Sequence, residues 1–203
     1  MEIEVLDAAR SLLALGLTAG TAGNVSARRP DGTVRITAAG PKDATVVLDL
    51  AGDVISGNRA PSTERELHLA VYRAYPEVGA VVHAHPVHAT MFACARRAIP
   101  AAVDEFALYV GGDVPCAPYA PSGSPALAAG AAALLADRGA VLLASHGLVS
   151  VGTSPADAVH VALVVERGAQ AIWGAAALGS AVPLPDEANA ALATHYRRAR
   201  FGP

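Results

Sequence analysis

His83 and His85 lie two residues apart at the end of a short apolar run that begins at Val78. The valines and alanines of this run predict a buried strand, which Pro86 ends. On a strand, residues two apart project from the same face, so the two imidazoles start roughly 7 Å apart. Two rings placed in this way can converge on one metal ion. Taken alone, the pair is equally compatible with two packed histidines.

A third histidine and a carboxylate occupy comparable positions elsewhere in the chain. His146 follows the apolar run Ala140–Ser145, and Glu64 lies at the predicted start of a helix. Three imidazoles and one carboxylate suit zinc in a catalytic site, because neutral ligands leave most of the ion's charge available to polarise a carbonyl. Four further histidines lack this setting, and we assign them no role: His68, His88, His160 and His195.

A glycine-rich loop at Thr18–Asn24 has the composition of an anion-binding loop. Glycines let backbone amides approach an anion closely, and Thr21 and Asn24 add side-chain donors. The loop is not a Walker loop, because no Gly-Lys-Ser/Thr follows it. Ordinary turn chemistry explains most loops of this composition, so the loop by itself does not establish an anion site.

The segment Pro61–Glu66 opens a predicted helix. Thr63 and Glu66 have the spacing of a capping box. Ser62, Thr63 and Glu64 therefore stand at a helix N-terminus, where free amides and the helix dipole favour a phosphate. Capping explains the hydroxyl residues without any ligand, but it does not explain Glu64.

The elements that must position these residues alternate between helices and short strands. Predicted helices cover residues 2–15, 61–75, 87–96, 125–137 and 155–178, and predicted strands cover 25–28, 34–37, 45–50, 54–55, 78–85, 140–145 and 148–151. Because the strands interleave with helices without regular alternation, the sequence favours an α/β fold with a mixed sheet flanked by helices. One domain over residues 1–203 is expected, with a polar tail from about residue 180.

The composition excludes several classes of function. A net charge of −3 and a pI near 6.1 leave no electrostatic footprint for nucleic acid. No apolar run is long enough to span a membrane, and the first residues lack a signal pattern, so we expect a soluble cytoplasmic protein with no membrane partner. Cys94 and Cys116 occur in unrelated contexts, which predicts two small buried residues and no disulfide framework. The low charged fraction of 16% hints at an oligomer.

Five motifs taken together resemble the class II aldolase (aldolase/adducin) family, which includes L-fuculose-1-phosphate aldolase. They follow one another within residues 3–180: TAGNVS at 21–26, PSTE at 61–64, AVVHAH at 80–85, VPCAPY at 114–119 and HGL at 146–148. The resemblance implies a three-layer α/β/α fold with a central, largely antiparallel mixed sheet. It also implies a homotetramer with active sites at the subunit interfaces.

The same resemblance implies a role for each matched residue. His83, His85 and His146 would bind one Zn²⁺ per subunit. Glu64 would be a metal ligand in the empty site and the general base once the substrate displaces it. The residues that would hold a substrate phosphate are Thr21, Asn24, Gly40, Ser62 and Thr63. The implied reaction is the reversible cleavage of a ketose 1-phosphate to dihydroxyacetone phosphate and a small aldehyde, which is lactaldehyde if the substrate is L-fuculose 1-phosphate.

Three positions depart from the family pattern. Ala39 stands where the fuculose enzyme has a hydroxyl residue, which weakens the expected phosphate pocket. Tyr109 is our candidate for a catalytic tyrosine contributed by a neighbouring subunit, and a packed interface tyrosine is the alternative. Ala199 or Phe201 falls near the expected position of a tail tyrosine. The last two departures affect the groups around the aldehyde part of the substrate.

Relatives with a similar metal site suggest alternative activities. Pentulose-phosphate epimerases resemble this chain but carry Asp at the position of Glu64, which favours the aldolase. A methylthioribulose-1-phosphate dehydratase or aldolase is a second alternative. A non-catalytic adducin-like interaction module is a third, and the presence of all three histidines together with Glu64 argues against it.

Overall fold

The computed structural model describes residues 1–201, except for the side chain of Phe201. The strands are β1 Asn24–Arg28, β2 Val34–Thr37, β3 Thr45–Leu48, β4 Val54–Ser56, β5 Ala80–Ala84, β6 Cys116–Ala117, β7 Ala140–Leu143 and β8 Gly147–Gly152. The helices are α1 Glu2–Ala14, α2 Arg65–Ala74, α3 Val87–Ala95, α4 Asp104–Val110, α5 Pro125–Ala133, α6 Pro155–Ala177 and α7 Asp186–Phe201.

The eight strands found in residues 1–201 form a single sheet in the order β4-β3-β2-β1-β5-β8-β7-β6. All neighbours pair antiparallel except β6 and β7, which are parallel. Strand β5 lies between β1 and β8, with His83 opposite Asn24 on one side and Val149 on the other. The predicted α/β fold with a largely antiparallel mixed sheet is therefore confirmed.

Helices cover both faces of the sheet, and β5 shows how the sequence divides between the two faces. Ala80, Val82 and Ala84 pack into the cluster that includes α1, α3 and α6. Val81 packs into the opposite cluster, with α2 and α5. Because side chains alternate along a strand, His83 projects to the side of Val81, toward α2. This alternation directs His83, a candidate metal ligand, toward the helix that follows Glu64.

The predicted capping box at the start of α2 is wrong. Glu64, not Thr63, occupies the N-cap position, and no side chain caps the helix there. Thr63 is exposed, and Glu66 forms an ion pair with Arg73 instead of returning to the helix start. The reason is that the side chain of Glu64 turns toward the histidine cluster, which shifts the first helical residue to Arg65.

The tail that follows α6 contains a helix that the sequence pattern did not predict: residues 186–201 form α7, which packs against α4. Its buried side chains include Ala193 and Tyr196, the latter 1% exposed. Acidic residues in its first turn and arginines in its last turn suit the helix dipole. The apolar positions of this segment are too few to predict a helix from the sequence, and packing against α4 stabilises it.

Smaller differences concern helix ends and the cysteines. Helices α1, α3 and α6 match the predicted ranges closely, whereas α5 ends at Ala133, earlier than predicted. Cys94 is exposed and Cys116 is partly buried, so the prediction of two buried cysteines is wrong, and neither forms a disulfide. Within residues 1–201, no helix combines the length and apolar character needed to cross a bilayer.

Candidate metal centre and active site

Two neighbouring strands bring the three predicted ligand histidines together. His83 lies near the end of β5, and His85 follows that strand directly. His146 lies in the turn from β7 to β8, next to Ser145, whose φ of 56° places it in the left-handed region. Because β5 pairs with β8, the turn and the strand end meet, and one ligand atom from each histidine lies within 4.8 Å of the others.

Neighbouring elements hold His85 in place from both sides. Its backbone N–H donates to the Leu17 carbonyl at 2.9 Å. Helix α3 begins two residues later, and its N-terminus is held by Glu166 on α6, which accepts from the backbone N–H groups of His88 at 3.0 Å and Ala89 at 2.9 Å. A carboxylate at a helix N-terminus is favourable, so this contact stabilises the segment that carries His85.

The hydrogen bonds of His83 determine which nitrogen faces the cluster. Its Nδ1 lies 2.9 Å from the Leu148 carbonyl oxygen, which can only accept, so Nδ1 carries the hydrogen. Its Nε2 faces His85 Nε2 at 2.9 Å and the Glu64 carboxylate at 2.8 Å. A nitrogen lone pair pointed at a carboxylate needs a positive charge between them, and either a proton or a metal ion can supply it.

Glu64 is a buried carboxylate at the centre of this arrangement, 6% exposed. Its Oε2 contacts His83, and its Oε1 lies 3.5 Å from His146 Nε2 and accepts from Ser122 Oγ at 2.7 Å. Burial alone would raise the pKa of Glu64, but His83, then Ser122 and His146, together hold that pKa well below its usual range. Glu64 is therefore ionised at neutral pH.

The two half-buried histidines of the cluster are neutral at the same pH. Burial, and then the charges of His83 and His146, lower the pKa of His85 to about 4. Burial, and then the charge of His83, lower the pKa of His146. Metal binding requires unprotonated imidazole, and both rings are in that state at neutral pH.

A cavity of about 290 Å³ opens beside the cluster. All five residues predicted to hold a phosphate line it together with Glu64, His85 and His146, namely Thr21, Asn24, Gly40, Ser62 and Thr63. Ala39, the position that lacks a hydroxyl, lines it as well. The structure thus joins the glycine-rich loop and the start of α2 into one surface next to the candidate metal ligands.

Sequence reasoning missed three residues of this site. Ser122 and Lys42 line the cavity, and His68 lies buried behind Asn24. Lys42 is the sole lysine of the chain, a signal that could have drawn attention to it. Burial lowers its pKa, and no carboxylate among residues 1–201 pairs with it. Nothing in the sequence around Ser122 or His68 indicates a contact with Glu64 or Asn24.

Tyr109 is not brought to the cluster within a single chain. It lies on α4, 39% exposed, with its ring edge against His160 at 4.8 Å between centroids. It lines a different cavity, together with Ala199 and Arg200. The side chain of Phe201 lies outside the described residues. The predicted role of Tyr109 in a neighbouring subunit stays a prediction.

Comparison with known proteins identifies the family. Residues 3–173 match the profile described as the class II aldolase and adducin N-terminal domain. The chain belongs to this family. The match covers the glycine-rich loop, the start of α2 and all three histidines, so the motifs that suggested the resemblance lie inside it.

Other members of the class II aldolase and adducin family resemble the chain over most of its length. A 5-deoxy-D-ribulose 1-phosphate aldolase from Bacillus thuringiensis serovar kurstaki is 35% identical over 201 residues, covering 95% of this chain and 93% of that protein. A 5-methylthioribulose-1-phosphate/5-deoxyribulose-1-phosphate aldolase from Rhodospirillum rubrum is 39% identical over 176 residues, covering 83% of this chain and 78% of that protein. The solved structure of an L-fuculose 1-phosphate aldolase superimposes with a TM-score of 0.91 at 33% identity, covering 97% of this chain and 95% of that protein.

Proposed function

We propose that this class II aldolase family member is a zinc-dependent enzyme that reversibly cleaves a ketose 1-phosphate to dihydroxyacetone phosphate and a small aldehyde. One observation carries the proposal: a three-histidine cluster and an ionised, buried Glu64 adjoin a cavity lined with anion-binding groups. A metal-activated carbonyl, a base and a phosphate site are the three parts that such a reaction needs.

Two pairs of donor atoms lie close to the spacing of ligands around a zinc ion. Zinc–nitrogen bonds of about 2.0–2.1 Å place donors on neighbouring vertices roughly 3.3 Å apart. The Nε2 atoms of His83 and His85 are 2.9 Å apart, and His146 Nε2 lies 3.5 Å from Glu64 Oε1. These four residues would hold the ion. When bound, it would polarise the substrate carbonyl and stabilise the negative charge that develops as the carbon–carbon bond breaks.

The phosphate would occupy the part of the cavity formed by the glycine-rich loop and the start of α2. Side-chain donors from Asn24, Ser62 and Thr63 line this part, and Gly40 has a φ of 86°, a conformation that suits glycine. Lys42 adds a positive charge beside Ala39, where the hydroxyl is missing. We infer that the lysine compensates for that hydroxyl.

Glu64 is the group placed to move a proton at the substrate carbon. In the synthetic direction, its carboxylate would take a proton from the hydroxymethyl carbon of dihydroxyacetone phosphate. In the cleavage direction, the protonated form would return that proton to the carbon. Ser122 and Asn24 hold one carboxylate oxygen each, which fixes the orientation of the base.

The names of the relatives point to a substrate class. The sugars in those names carry a phosphate at C1 and a methyl or methylthio group at the opposite end. We propose that the substrate of this protein is a ketose 1-phosphate with such an apolar end. L-Fuculose 1-phosphate and 5-deoxyribulose 1-phosphate are the first two candidates.

The test is an assay of dihydroxyacetone phosphate release from a panel of ketose 1-phosphates and from a ketose 5-phosphate control, with and without added Zn²⁺. We expect metal-dependent release from the 1-phosphates alone. Isomerisation of the 5-phosphate without any release would assign the protein to the epimerases. Metal-loaded protein that acts on none of these sugars would overturn the proposal in favour of an interaction module.

A further inference from the structure

His68 is a fully buried histidine on α2, one turn after Glu64, and it lies outside the cavity lining. Buried polar groups require hydrogen-bond partners, and both ring nitrogens of His68 have one. Its Nε2 contacts Asn24 Oδ1, and its Nδ1 lies 2.7 Å from Ser26 Oγ. Ser26 Oγ in turn lies 2.8 Å from the hydroxyl of Tyr72. These contacts form a continuous chain from Tyr72 to Asn24.

The direction of each hydrogen bond follows from the carboxylate of Glu64, which contacts Asn24. Asn24 presents its Nδ2 donor to Glu64 Oε2, which lies 3.4 Å away and accepts the hydrogen bond. The carbonyl oxygen of the same amide then faces His68. An amide oxygen also accepts only, so the hydrogen of His68 must lie on Nε2.

The directions of the remaining hydrogen bonds, from His68 to Tyr72, follow in the same way. Burial lowers the pKa of His68 to about 3, so the ring is neutral and its Nδ1 carries no hydrogen. Nδ1 therefore accepts from the Ser26 hydroxyl. Ser26 has then used its single hydrogen, and Tyr72, whose pKa is raised by burial, donates to it. Every hydrogen has one position that satisfies all partners.

We infer that His68 is a positioning residue that locks the amide of Asn24 in the orientation required by Glu64 and by a bound phosphate. If the amide turned over, its oxygen would face the carboxylate and its donors would leave the cavity. The Nε2–H of His68 prevents this, because a turned amide would set one donor against another. The part of the inference that concerns phosphate rests on the proposed function.

The first experiment measures the tautomers of the histidine rings by ¹⁵N NMR on the unaltered protein with labelled histidine. We expect His68 to carry its hydrogen on Nε2 and His83 to carry its hydrogen on Nδ1. A His68 ring with its hydrogen on Nδ1 would place the amide oxygen of Asn24 toward Glu64 and overturn the inference. This measurement needs neither substrate nor a variant that folds.

The second experiment compares His68→Gln with His68→Asn. Glutamine places an N–H where Nε2–H stands in histidine, whereas the shorter asparagine does not reach Asn24. The probe is dihydroxyacetone phosphate, titrated calorimetrically into zinc-loaded protein. We expect His68→Gln to stay close to the unaltered protein and His68→Asn to bind roughly tenfold more weakly, with zinc content unchanged in both.

The outcomes separate this inference from the proposed function. Equal affinity of His68→Asn and the unaltered protein would overturn the positioning role. Loss of affinity in both variants would also overturn it, because a role confined to core packing would not be rescued by glutamine. If the unaltered protein shows the expected tautomers but binds no dihydroxyacetone phosphate, the proposed function is wrong and the hydrogen-bond chain stands.

Discussion

At the scale of single residues, Glu64 is the residue for which we propose two roles, metal ligand and general base, and mutation can separate them. Glu64→Gln keeps the shape and hydrogen-bonding capacity of the side chain, but the amide cannot carry a proton. We expect the three histidines to retain zinc and dihydroxyacetone phosphate to bind. Deuterium uptake at the hydroxymethyl carbon should fall by about 10²–10⁴-fold, the usual contribution of a general base.

The measurement is deuterium incorporation into dihydroxyacetone phosphate, followed by NMR without any aldehyde. Glu66→Gln is a matched control, because Glu66 lies on the same helix and pairs with Arg73 outside the cavity. Near-normal exchange in a metal-loaded Glu64→Gln variant would show that Glu64 acts as a ligand only.

The histidine cluster predicts dependence on a divalent metal. We expect purified protein to carry about one divalent ion per chain and a chelator to abolish activity, since the ion supplies the carbonyl activation. His83→Ala and His146→Ala should lower the bound metal measured by elemental analysis. His160→Ala, which alters a ring outside the cluster, should not. Full activity in metal-free protein would contradict the mechanism.

Because Lys42 lines the cavity, we expect its positive charge to increase the affinity for the substrate phosphate. Lys42→Gln should raise the Michaelis constant for the ketose 1-phosphate by roughly tenfold, because a charge-assisted hydrogen bond is lost from a half-buried position. Lys42→Arg keeps the charge and is the control. The measurement is steady-state kinetics at two salt concentrations, and an unchanged Michaelis constant in Lys42→Gln would remove this residue from the phosphate site.

At the scale of secondary-structure elements, the close approach of α6 to α4 depends on one glycine. A Cβ atom at Gly168 would lie 2.5 Å from the ring of Phe106, whereas a Cβ at Gly174 on the same helix meets nothing within 4 Å. Gly168→Ala should therefore lower the free energy of unfolding by about 1–3 kcal/mol through overpacking.

Gly174→Ala should instead raise the free energy of unfolding by about 0.5–1 kcal/mol, because alanine is the better helix former. Denaturant unfolding at equal protein concentration measures both variants. A stable Gly168→Ala protein would mean that α4 moves away from α6 at little cost.

At the scale of the whole molecule, the family resemblance implies a tetramer with active sites at the subunit interfaces, and Tyr109 is the residue that tests this. Tyr109→Phe and Glu64→Gln should each be inactive alone if both residues are needed. After unfolding and joint refolding in equal amounts, about a quarter of the sites in randomly mixed oligomers would contain both natural residues. We expect activity to return to that level.

The control is a mixture of Glu64→Gln with a Glu64→Gln, Tyr109→Phe double variant, in which no site contains the natural Glu64. Sedimentation establishes the size of the active species. Failure of the mixed oligomers to recover activity, or a fully active monomer, would leave Tyr109 as a packed surface residue.

Local patterns in the sequence were sufficient to predict most strands, the helices α1, α3 and α6, and the candidate metal ligands. The spacing of His83 and His85, the apolar strand before His146 and the glycine-rich loop are short-range features, and their physical meaning does not depend on distant residues. The family resemblance rests on the same short segments. The packing helix α7 escaped prediction because its apolar positions are few, and only its contact with α4 reveals them.

Tertiary structure alone decided which side chains complete the site. Ser122 meets Glu64 across a sequence separation of 58 residues, and His68 meets Asn24 across a separation of 44. Such contacts depend on which strands pair and which face each helix covers, and neither spacing nor composition encodes them. The same dependence explains the capping error. The side chain of Glu64 contacts the histidine cluster, whose members are far apart in the sequence, and Thr63 and Glu66 therefore do not form the capping box that local chemistry would favour.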